Sequence, residues 1–399
     1  MVTKKIDCLI SKESIDAFHT FPQKTIFNKP VTEKPDVFST RMDIAYNKNN
    51  YHISSKTDLS HEETTNLLDE IYTKLYSSYA PVGVSGTQKL FTDFIGDWLL
   101  KYTDKESRIL EIGCHDGYLL NKFVDNGHSV LGIEPSPMAS IAKEKYKLDV
   151  IQDFFTRESC EDEDFNFIIM RHVLEHVPDP YEFLLDSFSK LKVGGKMYIE
   201  VPNSLWSLEN SFFPEFHIDH ISYFTVGSLQ KIISMLPNSK IEHIEQFQGY
   251  IRFPFLGALI TKTANNEFEE KMNFSPLLEF SIDNAINRFQ DNYNNYLKNL
   301  KDIDDSQGLV VWGTGSIGTQ YAVDASWSDS DVSYVDINES AHGLVLSSSG
   351  HEVLDPKVIK KIRPKNILIA SAWENDVKKQ LEPFCVGGEK ILTFSDLLN

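Results

Sequence analysis

Short apolar runs alternate with amphipathic, helix-length segments in two stretches of this chain. In the first stretch the runs predict five strands, at Arg108–Ile112, Ser129–Ile133, Asp149–Ile151, Phe165–Met170 and Lys196–Val201. In the second stretch they predict strands at Gly308–Trp312, Val332–Val335 and Asn366–Ala370. Strands that alternate with helices favour parallel sheets, so the predicted fold class is α/β with two Rossmann-like units. A tight turn at Lys192–Lys196, which holds two adjacent glycines, is expected to lead into the fifth strand.

The same pattern divides the chain into four parts. Residues 1–70 are polar and weakly periodic, which indicates a small N-terminal lobe, irregular or β-rich. Residues 71–262 hold the first α/β unit, with an aromatic, histidine-bearing insertion after its fifth strand. Residues 263–305 have helical spacing and predict a bridge of one or two helices, and residues 306–399 hold the second α/β unit.

Composition narrows the function classes open to the chain. Its 399 residues carry a net charge of −19. An acidic surface repels phosphate backbones, so no nucleic-acid partner is expected. The four cysteines (Cys8, Cys114, Cys160 and Cys385) lack CxxC spacing and indicate neither a zinc knuckle nor a disulfide framework. Without a long apolar run or an apolar N-terminal segment, we expect no membrane partner and a cytoplasmic location. The sequence leaves the oligomeric state open.

The first strand leads into the most informative turn. Its pattern is ExGxxxG, from Glu111 through Gly113 to Gly117, and Glu134 ends the next strand. A ligand at such a turn lies outside the carboxyl ends of the strands, where the spaced carboxylate can accept hydrogen bonds from a ribose diol. The turn lacks the middle glycine of a pyrophosphate site, and Asp116 adds an acid, which favours a cationic or neutral ligand. An ordinary βα turn of another doubly wound domain is the alternative.

This turn resembles motif I of class I S-adenosyl-L-methionine (SAM) methyltransferases, which implies SAM as the cofactor. Asp153 follows the third strand, where it either reaches the adenine amino group or is a solvated loop acid. His172 follows the fourth strand near the expected methionine end, where it either contacts the ligand or only packs. The expected cofactor-binding residues are Glu111, Gly113, Cys114, Gly117, Glu134, Pro135, Asp153, Arg171 and His172.

The insertion contains the segment FPEFHIDHISYF, residues 213–224, with two imidazoles, two carboxylates and a phenol. A pocket histidine can take a proton at neutral pH, and a neighbouring Asp219 or Glu215 can orient it. His217 and His220 also have the spacing of a weak metal pattern, but the segment offers no cysteine or third ligand, so no metal is expected. A satisfied core histidine is the remaining alternative.

The letters HIDHISYF resemble a segment of nucleotide-sugar C-methyltransferases, which act on 4-keto-deoxysugars. Those enzymes consist of a small N-terminal lobe, a SAM domain and a C-terminal Rossmann-like domain, the order predicted here. The resemblance implies a nucleotide-linked sugar as substrate and His220 as the base. His176, in HVLEHVPDP, either lines the substrate pocket or fixes its loop. The expected catalytic residues are His220, His176, Asp219, His217, Tyr76 and Tyr79, with Tyr223 in contact with the substrate.

The chain also departs from that family. The family's lobe holds zinc through four cysteines, whereas Cys8 is the single cysteine in this region, so no zinc is expected. His217 and Ile218 stand where the family has Tyr and His, and Asp219 replaces Glu. The methylated atom could therefore be oxygen or nitrogen instead of carbon.

A second glycine turn, Gly313-x-Gly315-x-x-Gly318, follows the strand at Gly308–Trp312, and Asp336 ends the next strand. Alone, this dinucleotide fingerprint indicates NAD. The resemblance implies instead that Gly313, Gly315 and Ser316 bind the substrate phosphate or that the turn is structural. The expected function is SAM-dependent methyl transfer to a small sugar-like substrate. The alternatives are an NAD-linked oxidoreductase and a non-catalytic binding protein with a decayed methyltransferase fold.

Overall fold

The computed structural model describes residues 5–26, 30–33, 39–70, 73, 82, 86–160, 164–247, 254–264, 276–325, 327, 332–371 and 374–398. Its strands are β1 (Lys5–Asp7), β2 (Ser14–Thr25), β3 (Ser39–Asn47), β4 (His52–Thr57), β5 (Arg108–Ile112), β6 (Ser129–Ile133), β7 (Val150–Ile151), β8 (Phe165–Arg171), β9 (Leu191–Pro202), β10 (Ser222–Tyr223), β11 (Ser239–Phe247), β12 (Phe255–Lys262), β13 (Leu309–Trp312), β14 (Val332–Val335), β15 (Val353–Leu354), β16 (Asn366–Ile369) and β17 (Lys390–Leu392).

The α-helices connect and cover these strands. They are α1 (His61–Glu70), α2 (Gly86–Leu100), α3 (Tyr118–Asp125), α4 (Met138–Tyr146), α5 (Pro180–Ser189), α6 (Ser204–Glu209), α7 (Val226–Ile233), α8 (Pro276–Lys301), α9 (Ser316–Ala325), α10 (Ile359–Ile362), α11 (Glu374–Leu381) and α12 (Phe394–Leu398). Within the described ranges, no helix combines the length and the apolar character that crossing a membrane requires.

The central sheet has the order β11-β12-β9-β8-β5-β6-β7. From β9 to β7 all neighbours are parallel, whereas β12 runs antiparallel to both β9 and β11. The chain therefore winds outwards from β5 in both directions, which is the doubly wound arrangement. In such a sheet the crevice for a ligand lies at the carboxyl ends of the strands where the order reverses, here beside β5 and β8.

The predicted strands at Arg108–Ile112 and Ser129–Ile133 are confirmed with the same bounds. The predicted turn at Lys192–Lys196 is wrong, because β9 already begins at Leu191 and pairs with Phe165. The register shifts between Phe165 and Phe167, and Gly194 has φ +83°. A glycine at positive φ lets the strand bulge without leaving the sheet, so the two glycines serve a bulge instead of a connecting turn.

The N-terminal strands form an antiparallel sheet in the order β1-β2-β3-β4, and β10 of the insertion pairs with β4 at its edge. The register places Ser222 opposite Ser54 and Tyr223 opposite Ile53. The histidine-bearing insertion, which follows β9 in the chain, thus contributes a strand to the N-terminal sheet. Because β10 begins two residues after His220, this pairing fixes the position of the histidine.

The C-terminal strands form a parallel sheet in the order β15-β14-β13-β16-β17. The bridge predicted for residues 263–305 contains one described helix, α8, and residues 265–275 lie outside the described part. Helix α8 buries Phe289, Tyr293 and Tyr296 against Phe213 of the insertion, with ring centroids 5.0–5.3 Å apart. One apolar core therefore joins the N-terminal sheet, the insertion, α8 and α9. The domain bounds set from the sequence remain predictions.

Candidate active site

The turn after β5 is closed by backbone hydrogen bonds. The N–H groups of Gly113 and Cys114 donate to the carbonyl of Ile133 at 2.8 and 3.2 Å, and the N–H of Gly117 donates to the carbonyl of Cys114 at 2.9 Å. Gly113 has φ +77°, and a Cβ there would lie 2.5 Å from Cγ2 of Val173. Gly113 is therefore required by its backbone conformation and by the close packing of Val173, which follows β8.

We expect Gly113→Ala to destabilise the fold through two separable effects. Left-handed φ costs a non-glycine residue about 1–2 kcal/mol, and overpacking against Val173 adds about 1–3 kcal/mol. Gly127→Ala is the matched control, since Gly127 has φ +85° but open space where its Cβ would stand. Urea denaturation of both variants should show the larger loss at Gly113. Equal losses would mean that the contact with Val173 contributes nothing.

Glu134, at the end of β6, holds this turn with both carboxylate oxygens. Its Oε2 accepts from the N–H of His115 and its Oε1 from the N–H of Ser136, each at 2.9 Å. The side chain is only 6% exposed. A carboxylate oxygen has two lone pairs, so each can accept one further hydrogen bond, as a ribose diol requires. The geometry suits the role predicted for Glu134 and adds a structural one.

Glu111 is the buried acid beneath the turn. It is 4% exposed, and its Oε2 has no hydrogen-bond partner among the residues that the structure describes. Burial raises the pKa of Glu111 to about 8, against the opposing charge of Arg171. An unsatisfied carboxyl oxygen in such a place is costly unless a ligand or water completes it.

The other predicted cofactor residues have distinct environments. The side chain of Cys114 packs in the core, because a Cβ on Gly132 would lie 2.6 Å from its Sγ, so only its backbone remains at the turn. Pro135 is partly buried beside Glu134. Asp153 is exposed after β7 and accepts from the N–H of Phe154 at 2.7 Å. These contacts leave both interpretations of Asp153 open.

Arg171 ends β8 and His172 follows it, and both contact a carboxylate that was not predicted from the sequence, Glu200 of β9. Arg171 Nε donates to Glu200 Oε1 at 2.9 Å, and His172 Nε2 lies 3.2 Å from the same oxygen. His172 Nδ1 lies 3.3 Å from Glu175 Oε1. Burial lowers the pKa of His172, but the bonds to Glu175 and Glu200 outweigh it and raise the pKa to about 9. His172 is therefore a cation that orders the loop after β8.

The histidines of the insertion meet the loop after β8 at the same edge. The ring centroids of His176 and His220 are 4.7 Å apart, and those of His217 and His220 are 4.9 Å apart. His176 Nδ1 lies 2.9 Å from the backbone carbonyl oxygen of Asp219. His220 Nδ1 lies 3.9 Å from Glu215 Oε1. The structure thus brings together five residues that sequence reasoning placed in two separate motifs.

Electrostatics within this cluster favour a neutral His220. Burial lowers the pKa of His220 to about 4, and the neighbouring charge of His176 acts in the same direction, although Asp219 and Glu175 oppose it. Burial also lowers the pKa of His217, to about 3. Burial raises the pKa of Glu215 to about 8, so this acid is neutral at pH 7. A neutral imidazole has a free lone pair and can accept a proton from a substrate.

The N-terminal lobe holds the cluster in place. Ser55 Oγ of β4 donates to the backbone carbonyl of His220 at 3.1 Å. Lys24 of β2, 2% exposed, donates from Nζ to the carbonyl of Phe213 at 3.1 Å. Burial lowers the pKa of Lys24 to about 8, against the charges of Asp324 and Glu215. These supports were missed from the sequence because only the pairing of β10 with β4 brings them to the site.

The roles predicted for Tyr76, Tyr79 and Tyr223 in catalysis and substrate contact remain predictions. Tyr76 and Tyr79 lie outside the described residues. Tyr223 is buried, and its hydroxyl donates to the carbonyl of His217 at 2.8 Å, so in this structure it supports the histidine segment from within.

The C-terminal glycine turn repeats the arrangement at Glu134. The N–H and Oγ1 of Thr314 donate to Asp336 Oδ2 at 2.9 and 2.8 Å, and the N–H of Asn338 donates to Oδ1 at 2.9 Å. Gly313 has φ +104°, with the carbonyl oxygen of Ala370 2.6 Å from the place of a Cβ. Gly315 is exposed with open space around it, and Ser316 begins α9.

Comparison with known proteins identifies the first α/β unit. A family model described as a methyltransferase domain matches residues 87–234. By this match the stretch is a methyltransferase domain. It includes the glycine turn, Glu134, the loop after β8 and the histidine segment, and it leaves out the N-terminal and C-terminal sheets.

Relatives of this domain methylate different atoms. The C-methyltransferase NovU of Streptomyces niveus is 30% identical over 132 residues, which cover 30% of this chain and 30% of that protein. A ubiquinone biosynthesis O-methyltransferase of Nitrobacter winogradskyi is 33% identical over 109 residues, 25% of this chain and 40% of that protein. The chain thus spans less than half the length of these relatives. Magnesium protoporphyrin IX methyltransferase from Synechocystis PCC 6803, solved with bound SAM, has a TM-score of 0.40 at 13% identity, covering 52% of this chain and all of that one.

Proposed function

We propose that the chain is an active SAM-dependent methyltransferase that transfers a methyl group to carbon or oxygen of a small sugar-like substrate, in particular a nucleotide-linked sugar. The observation that carries the proposal is the histidine cluster at the edge where β5 and β8 end. The matched relatives include both a C- and an O-methyltransferase, which supports the two reaction types without deciding between them.

The residues at the first glycine turn fit SAM. Glu134 retains lone pairs for a ribose diol, and Glu111, whose Oε2 has no hydrogen-bond partner within the described residues, is a second buried acid at the turn. Bound SAM would supply an electrophilic methyl group on a sulfonium sulfur, which leaves as a neutral thioether and needs no acid. Glu111, Gly113, Gly117, Glu134 and Arg171 remain the proposed cofactor contacts.

The residues of this chain must remove a proton from the substrate and hold the two reactants in position. In the carbon version, His220 takes the proton from a carbon next to a keto group, and the electron pair of the broken C–H bond becomes the nucleophile. In the oxygen version, the same nitrogen takes the proton of a hydroxyl. Asp219 and Glu175 stabilise the imidazolium that forms, since their charges raise the pKa of His220, whereas His176 opposes it. Holding the two reactants in line contributes further to the rate.

The second glycine turn is assigned to the substrate. Gly315 leaves open space before the N-terminus of α9, and backbone N–H groups at such a terminus favour a phosphate. Because Asp336 presents a ribose-type carboxylate there, the NAD-linked oxidoreductase stays as the alternative. Fluorescence titration with NADH separates the two, since tight NADH binding would favour the oxidoreductase.

Product mass spectrometry tests the proposed function. The full chain would be incubated with SAM and a panel of nucleotide-linked sugars, including 4-keto-deoxysugars, with matched free sugars as controls. We expect one panel member to gain the mass of one methyl group, with S-adenosylhomocysteine formed in equal amount. A methyl labelled with deuterium locates the bond by fragmentation. SAM-dependent stabilisation against heat without any methylated product across the panel would favour the non-catalytic alternative.

A further inference from the structure

One group of side chains in the cluster has the composition of a metal site. Glu175, His176 and His220 each offer one ligand atom, and the three atoms lie within 4.8 Å of one another. The sequence pattern pointed to His217 and His220 and to no third ligand. The fold replaces His217 by His176 and adds Glu175, its neighbour in the segment after β8, so the ligands come from two separate motifs.

Two of these side chains are left unsatisfied. Glu175 is 1% exposed, and neither its Oε2 nor His220 Nδ1 has a hydrogen-bond partner within the described part of the chain. Buried polar atoms without partners are rare and costly, so an orphaned carboxylate oxygen beside an orphaned imidazole nitrogen indicates a missing group. Water could satisfy both atoms, but water does not require two imidazoles and a carboxylate to converge.

His176 is already oriented as a metal ligand. Its Nδ1 lies 2.9 Å from the carbonyl oxygen of Asp219, so Nδ1 carries the proton and donates it. In the neutral ring Nε2 is then the nitrogen that can bind a metal, and it lies 4.0 Å from Glu175 Oε1. A carbonyl that fixes one ring nitrogen while the other binds metal is the usual outer partner of a metal-bound histidine.

The types of ligand atom at the site indicate which metal ions it would bind. Two imidazoles and one carboxylate suit Zn²⁺ and similar divalent ions, with a fourth position left for water or substrate. Neighbouring ligand atoms in a tetrahedral zinc site are about 3.4 Å apart, given metal–ligand bonds of about 2.0–2.1 Å. The side chains would need to close by roughly an ångström, which rotation of His220 and Glu175 can supply.

We propose that Glu175, His176 and His220 bind one Zn²⁺-like divalent cation and that this cation inhibits the enzyme. The inhibition rests on the proposed function, since a metal on His220 occupies the lone pair that would take the substrate proton. The binding site itself does not depend on that function. Metal and proton compete for the same nitrogen, so bound cation and an active base exclude one another.

Calorimetric titration of the chelator-stripped full chain with ZnCl₂ tests the site. We expect one Zn²⁺ per chain, with affinity at least about 10-fold weaker in His176→Ala and in Glu175→Gln, because losing a ligand costs no less than losing an outer partner. The matched control is His243→Ala, which removes an imidazole 3.9 Å from Glu245, on the half-exposed edge strand β11, and should leave the affinity unchanged. SAM-dependent thermal stabilisation of each variant shows that it is folded.

The outcomes separate the site from the function. Absence of binding, or binding that both ligand substitutions leave intact, overturns the site. In the turnover assay we expect Zn²⁺ to stop methyl transfer, to leave the SAM affinity unchanged, and to be reversed by EDTA. Stoichiometric binding without loss of turnover overturns the inhibition. If the protein transfers no methyl group even without metal, the proposed function fails while the calorimetric result on the site still stands.

Discussion

Replacing His220 with alanine is expected to lower methyl-transfer turnover by roughly 10²–10⁴-fold, the usual loss when a general base is removed. His220 is the histidine with neighbours on both sides, His176 and His217, and burial keeps it neutral with a pKa of about 4. The SAM affinity should stay near that of the unaltered chain, because no described contact joins His220 to the glycine turn. Turnover comes from product mass spectrometry and SAM affinity from calorimetry.

A positioning role would give a different result. If His220 only packed the pocket, a smaller side chain would raise KM for the substrate and free imidazole would not restore the rate. If it removes the proton, kcat falls and added imidazole recovers part of it in the alanine variant. Unchanged turnover in His220→Ala would exclude His220 from the mechanism and leave His176 as the remaining candidate base. The control substitution His243→Ala, on β11 outside the histidine cluster, should change neither parameter.

The strands around the glycine turn could be predicted from the sequence because they are buried on both faces. Apart from the buried Glu111, the interior positions of β5 and β6 are apolar, and a glycine or an acid follows the last residue of each strand. Along the chain a strand is followed by a turn, a helix, a second strand and a carboxylate. This order determines which residues are expected at the crevice. The predicted roles of Glu111, Glu134 and Arg171 at the crevice rest on this order.

The supports of the site could not be predicted in the same way. Glu200 lies inside an apolar strand, and its role exists only because β9 pairs with β8 and sets it beside Arg171 and His172. In the sequence Lys24 has the pattern of an ordinary strand residue. Only the folded lobe brings its Nζ to the carbonyl of Phe213. Local periodicity carries no information on such pairings, which join positions far apart in the chain. The same limit explains why the sequence pattern set His217 beside His220 and left Glu175 and His176 in a separate motif.

The two glycine turns of the chain share one structural device. In both, a carboxylate at the end of the second strand accepts from a turn N–H with one oxygen and from the N–H two residues further on with the other. This hydrogen-bonding arrangement links the first two strands of each unit at the carboxyl edge of the sheet. It therefore has a structural role that does not depend on any ligand, and the presence of such a carboxylate alone does not establish a nucleotide site.

Glu134→Ala is expected to weaken SAM binding by about 100-fold or more. Hydrogen bonds to a charged acceptor contribute about 1.5–3 kcal/mol each, and a ribose diol makes two of them. The substitution also frees the N–H groups of His115 and Ser136, so we expect the free energy of unfolding to fall by about 1–3 kcal/mol. Calorimetric titration with SAM in the absence of substrate measures the first effect, and urea denaturation the second.

Asp336→Ala separates these two effects, because it removes the same kind of carboxylate from the second glycine turn. It frees the N–H groups of Thr314 and Asn338 and should destabilise the chain by a similar amount. Its SAM affinity should stay within about 2-fold of the unaltered chain, a free-energy difference well below one hydrogen bond. Equal weakening of SAM binding by both substitutions would mean that loss of stability, and not loss of a ribose contact, explains the result at Glu134. Weakening by Asp336→Ala alone would place the SAM site in the C-terminal unit, where the acidic carboxylate and the open glycine would then have to bind it.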